Sequence, residues 1–76
     1  MRGRKEDAVG AFALNADRFP GGWAVWDSLG EGLMNAGRNV EAISAYEKAL
    51  ALSPDNFNAG FEKTAIVKMR AAGAKK

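Results

Sequence analysis

A chain of 76 residues holds one small domain, and its 47% hydrophobic and 26% charged residues are ordinary globular proportions rather than those of a disordered segment. It has no cysteine and no histidine, which excludes disulfides, thiolate metal sites and thiol nucleophiles and removes the commonest general base and metal ligand. The net charge of +2 hides a polar layout: all nine carboxylates lie within residues 6–62, while cations crowd residues 1–5 and 63–76.

Pro20-Gly21-Gly22, Gly37-Arg38-Asn39 and Ser53-Pro54-Asp55-Asn56 are strong breaks that cut the chain into four segments. Each segment is too long for a typical strand and carries apolar residues at helical spacing. The first predicted helix runs from about Glu6 to Asp17. Its apolar stripe is Ala8, Val9, Phe12 and Ala16, and Glu6 and Asp7 are expected in its first turn, where the helix dipole favours carboxylates. Phe19-Pro20 ends it, because a residue before proline is pushed out of the α region.

The second predicted helix spans about Trp23 to Ala36, with Trp26, Leu29, Gly30 and Leu33 on one face and Gly37 placed to close it. The third spans about Val40 to Leu52, with Asn39 as its expected cap and Ala42, Ile43, Tyr46, Ala49 and Leu50 as its buried face. The fourth spans about Phe57 to Ala72, capped by Asp55 or Asn56. Phe57, Phe61, Thr64, Ala65 and Met69 are its expected stripe, broadened by Ile66 and Val67, and Gly73 ends it. No segment alternates as a strand would, and short connections make consecutive helices antiparallel neighbours. The fold class is all-α: four antiparallel helices in one domain over residues 1–76, with residues 1–5 and 73–76 expected as flexible basic ends.

Arg2, Arg4 and Lys5 followed by Ala8–Leu14 superficially suggest a secretory leader. Glu6 and Asp7 interrupt the transition and Asn15 ends the apolar stretch early, so a cytoplasmic location is expected. No apolar run approaches the roughly 20 residues of a membrane span.

The middle of the chain carries a spaced motif: Trp26-x2-Leu29-Gly30-x2-Leu33, then Ala42, Tyr46, Ala49 and Pro54. This resembles the tetratricopeptide (TPR) pattern, with Leu33 standing for the usual Tyr and Tyr46 for the usual Phe. On that resemblance residues 23–56 form one complete repeat. One period of about 34 residues earlier, Ala8, Phe12 and Pro20 echo Ala42, Tyr46 and Pro54, with Asn15 as a departure. The first segment therefore resembles the second helix of a preceding repeat, and the fourth resembles a capping helix, giving a TPR-like α-solenoid fragment. Phe19 to Glu31 is also similar to the TPR tails that follow serine-hydrolase domains in bacteria.

Catalytic chemistry finds little support. Ser28, Ser44 and Ser53 have no histidine or cysteine to activate them. Asp27 and Glu31, four apart on one face, read as a solvated helix face rather than an acid–base or cation site. Gly21-Gly22 lacks the Lys and Ser/Thr of a phosphate loop. The chain is therefore expected to be no enzyme, with no cofactor and no metal.

The resemblance implies a protein–protein interaction module with a concave groove lined by Ala24, Asp27, Glu31 and Met34 and extended by Phe61, Ala65 and Lys68. Asp27 and Glu31 there disfavour an acidic-tailed ligand and favour a basic or apolar one. Ala8 and Phe12 would have packed on a first helix that this chain lacks, so they are expected to be exposed and to drive a homo-dimer. The alternative function is nucleic-acid binding through the basic termini, without a recognised DNA-binding motif or an aromatic-rich basic patch.

Overall fold

The computed structural model describes residues 2–73. They form four helices in chain order: α1 (Arg2–Arg18), α2 (Trp23–Asn35), α3 (Asn39–Leu52) and α4 (Ala59–Ala71), with no strand among the described residues. Each helix packs on the next, α1 on α2, α2 on α3 and α3 on α4. The result is a slab of 35 × 31 × 16 Å. Its short dimension is little more than one helix with its side chains, roughly 10–12 Å, so both broad faces lie close to the core.

The sequence places the helix bodies well and several ends less well. α1 begins at Arg2, so residues 2–5 belong to the helix, and its first turn contains no carboxylate. Glu6 lies further along and reaches Arg38, whose Nη1 donates to Glu6 Oε1 at 2.8 Å. Of the expected basic end 73–76, residues 74–76 lie outside the described residues.

Between α1 and α2 the turn is held from both sides. Gly22 N donates to Phe19 O at 3.0 Å, and Trp26 Nε1 donates to Pro20 O at 2.8 Å. At the end of α2, Gly37 adopts φ +79°, a left-handed conformation that a side chain would strain. Gly37 N donates to Met34 O at 3.0 Å and Arg38 N to Leu33 O at 2.9 Å, which satisfies the carbonyls the helix end leaves over.

Asn39 is not the cap of α3. It is the first helical residue, and Arg38 occupies the capping position with no side-chain bond to the helix amides. The Arg38 guanidinium instead grips Glu41 through two bonds of 2.7 Å, which holds the exposed Glu41 carboxyl below its ordinary range. α4 starts at Ala59, two residues after the expected Phe57, because Asn56 builds a turn first. Asn56 Nδ2 donates to Ser53 O at 2.9 Å, and Asn56 Oδ1 accepts from Asn58 N at 2.7 Å. Phe57 thereby falls outside the helix; it is 93% exposed and meets the Trp23 ring edge-on at 5.0 Å.

The core joins all four helices: Val9 and Ala16 of α1, Leu29 and Leu33 of α2, Ala42, Ile43, Ala45 and Tyr46 of α3, and Ala65, Ile66 and Met69 of α4. Two glycines of α2 make the layers fit. A Cβ on Gly30 would lie 2.8 Å from the Tyr46 ring, and one on Gly32 would lie 2.7 Å from the Phe12 ring. The close approach at Gly30 is therefore to the ring of Tyr46. The buried face of α4 also differs from the expected stripe. It is Ala59, Glu62, Ala65, Ile66 and Met69, with Thr64 and Phe61 turned outward.

Candidate interaction surfaces

The α2–α4 side of the slab brings four of the expected groove residues together. Met34, Phe61, Ala65 and Lys68 line one cleft of about 410 Å³, joined by Asn39, Thr64, Met69 and Ala72. The spacing is helical on α4: residues 61, 64, 65 and 68 recur at three and four, so their side chains share a flank. Phe61 is 47% exposed and meets Tyr46 edge-on at 6.1 Å, which positions its ring at the cleft mouth. Among the described residues, Lys68 is the only cation lining this cleft. The lining is otherwise largely apolar, which suits side chains of like kind.

The remaining groove residues separate from these four. Ala24 is exposed and Asp27 half-buried, and neither lines this cleft. Glu31 opens instead onto a second cleft of about 520 Å³ between α1 and α2, with Arg4, Lys5, Ala8, Phe12, Gly32 and Asn35. The expected groove residues thus divide between separate shallow clefts flanking α2 where the sequence suggested one groove.

Ala8 and Phe12 are less open than expected. Both are half-buried, and Phe12 packs against the core. The cause is Gly32: lacking a side chain, it leaves room on α2 for the Phe12 ring. Leu14, at 53% exposure, carries the apolar outer surface of α1 instead.

Asp27 is not a solvated carboxylate beside Glu31. Asn58 Nδ2 donates to Asp27 Oδ1 at 2.8 Å. Its neighbour is Glu62, which is fully buried and accepts from Asn56 Nδ2 at 3.0 Å through Oε1. Burial first, and then the neighbouring Asp27 carboxyl, push the Glu62 carboxyl up to about 7. Tyr46, also fully buried, has its hydroxyl pushed above the usual phenol range by burial and by the charges of Asp27, Glu31 and Glu62. Glu62 is absent from the sequence reading because residue type alone does not mark a carboxylate as buried. The spacing of Ala59, Ala65, Ile66 and Met69 does carry the signal, since position 62 falls on their face.

Among the described residues, no group of three acidic, histidine or cysteine side chains could hold a metal ion. No helix among them is long and apolar enough to cross a membrane.

The chain matches no curated protein and no solved structure. The family model of the tetratricopeptide repeat matches residues 23–56. That segment comprises α2, α3 and the turn up to Asn56, and it holds the Gly30–Tyr46 contact and the turn residue Pro54. Repeats of this family generally mediate protein–protein interactions and are typically non-catalytic. By sequence and by helical architecture, residues 23–56 are a tetratricopeptide repeat.

Proposed function

We propose that the chain is a non-catalytic interaction module that holds an apolar peptide segment in the cleft between α2 and α4. The observation that carries this reading is that cleft itself, about 410 Å³, with a half-exposed phenylalanine at its mouth and two methionines in its lining. Methionine side chains adapt to differently shaped apolar partners. Among the described residues a single lysine, Lys68, lines the cleft, which is not the cationic clamp that an acidic tail needs. The cleft is short and open, so affinity for one peptide is modest.

The test is a peptide array screened against the labelled protein, followed by NMR titration of the best binders. Amide shifts should concentrate around Met34, Phe61, Ala65 and Lys68. Phe61→Ala should weaken binding about tenfold or more, the size of a buried aromatic anchor, while Val67→Ala, on the exposed outer side of α4, should not. Selection of acidic peptides only, or shifts confined to the basic first turn of α1 on adding DNA, would overturn the reading.

Self-association is part of the same proposal. Ala8 and Phe12 line an open cleft beside α2, and Leu14 extends apolar surface around α1. A two-fold dimer through α1 would cover them. Light scattering from micromolar to submillimolar concentration should show the mass double. A monomer throughout would sink the dimer and leave the peptide cleft standing.

A further inference from the structure

The α2–α4 junction carries a polar cluster that the peptide cleft does not use. Glu62 is fully buried on α4. One of its oxygens accepts a hydrogen bond from Asn56 Nδ2, and the other has no donor. Asp27 of α2 lies beside it and accepts a hydrogen bond from Asn58 Nδ2. Asn56 and Asn58 are themselves joined, so the turn before α4, α2 and α4 form one connected polar set.

A fully buried carboxyl beside a second, half-buried one cannot ionise without strong repulsion. A single proton between them removes the repulsion and supplies the missing donor. We propose that Glu62 holds a proton that it donates toward Asp27 and that this proton latches α4 onto α2, so that deprotonation loosens α4 while leaving the α2–α3 pair intact.

The surroundings favour the proton. From α2, Asp27 presents negative charge to this site; from α3, the Tyr46 hydroxyl lies in reach of Asp27 and Glu62 and of Glu31 beyond them. Asn56 and Asn58 are neutral, and no cation bonds Glu62 or Asp27 among the described residues. Burial and Asp27 place the Glu62 transition near neutrality, at about 7. Between the ordinary carboxyl range and that value, the folded chain holds a proton that the unfolded chain has lost. The latch is therefore complete in mild acid and weakens as pH rises through about 7. Hydrogen bonding to Arg38, which holds Glu41 low, acts with the opposite sign and only at more acid pH.

α4 is the element that can move alone. It packs on α3 and meets α2 through Asn58–Asp27 and the carboxyl pair, whereas α2 and α3 interlock through Tyr46 over Gly30. One external ion pair, Arg70 Nη2 to Glu47 Oε2 at 2.6 Å, ties α4 to α3, and both partners are about half exposed. Loosening α4 uncovers the Tyr46 side of α3. The latch stands or falls independently of whether a peptide occupies the cleft.

Carboxyl-detected NMR on uniformly labelled protein gives the Glu62 titration directly. Glu62 should titrate near neutrality, at about 7. Hydrogen exchange of α4 amides, corrected for intrinsic pH dependence, should accelerate about tenfold or more from pH 5 to pH 8.5, with α2 and α3 little changed. Glu62→Gln keeps a donor for Asp27 and should abolish that acceleration. Asp27→Asn, a second route should the first variant not fold, should move the Glu62 transition lower. Titration of Glu62 in the ordinary carboxyl range, or an α4 exchange profile in Glu62→Gln that still follows pH, would overturn the latch. Equal loss of protection in all helices would overturn the claim that α4 moves alone.

Discussion

Gly30 and Gly32 sit two residues apart on α2 and face different neighbours. Each accepts an aromatic ring: Tyr46 from α3 and Phe12 from α1. The two rings are one repeat period of about 34 residues apart in sequence, so α2 is clasped from both sides by equivalent positions. The clasps differ in depth. Tyr46 is fully buried, with Leu29, Leu33, Ala42 and Ile43 in the same core cluster. Phe12 is half-buried at the wall of an open cleft. Both contacts are equally tight in distance, so what separates them is whether the ring can move aside. Inside the repeat it cannot; at the boundary with α1 it can.

The largest effect should come from overfilling the inner clasp. Gly30→Leu or Ala42→Leu should destabilise by about 1–3 kcal/mol, read as a lower midpoint in denaturant melts. In a domain with so thin a core that is a large share of the total. If both variants melt with the wild type, the crossing does not carry the fold.

Truncating the outer ring comes next. Phe12→Ala should cost roughly 1–2 kcal/mol, less than the 3–5 typical of a fully buried phenylalanine, because half of its surface already meets water. The same melts check this, and a loss of 3 kcal/mol or more would mean that the α1 cleft is closed in solution.

Gly10→Ala should have the opposite sign. A Cβ there meets nothing within 4 Å, and Gly10 lies inside α1. Replacing an interior helix glycine with alanine is worth up to about 1 kcal/mol. A destabilised variant would show that another chain approaches α1 closely at this point, and would favour the dimer.

The smallest net change is expected at Gly32→Ala. The gain in helix propensity, about 1 kcal/mol, should offset the displacement of a ring that is free to swing outward. Gly30→Ala receives the same gain against a ring that is fixed, and should remain net destabilising. Equal melting temperatures for these two alanine variants would erase the distinction between the clasps.

Much of this architecture was legible along the chain. The motif from Trp26 to Pro54 marks a repeat because its small residues and aromatic positions recur at spacings that only a helical hairpin brings together. Gly37 and Gly73, both with positive φ, stop helices where the pattern stops. The ends were harder, since capping depends on which side chain wins a local competition. Arg38 turned to Glu41 and Glu6 and left Asn39 to begin α3, and the Asn56 turn pushed Phe57 out of α4.

Helical period and turn chemistry are local properties, so the amino-acid order alone determined four helices, their breaks and the inner face of the repeat. Which flank of α4 is buried was decided in three dimensions. One position along a helix turns a side chain by about 100°, enough to send Phe61 outward and Glu62 inward. The packing of α4 on α3 beside α2 selected that rotation, and it placed Glu62 against Asp27, 35 positions away in sequence. The groove was divided by the same means. Its residues share a face in projection, but the Asn58–Asp27 bond and the ring of Phe12 over Gly32 set Asp27 and Glu31 apart from the cleft that Met34, Phe61, Ala65 and Lys68 form. Periodicity reports the direction of a side chain from its own helix axis; burial and partners depend on where the other axes lie.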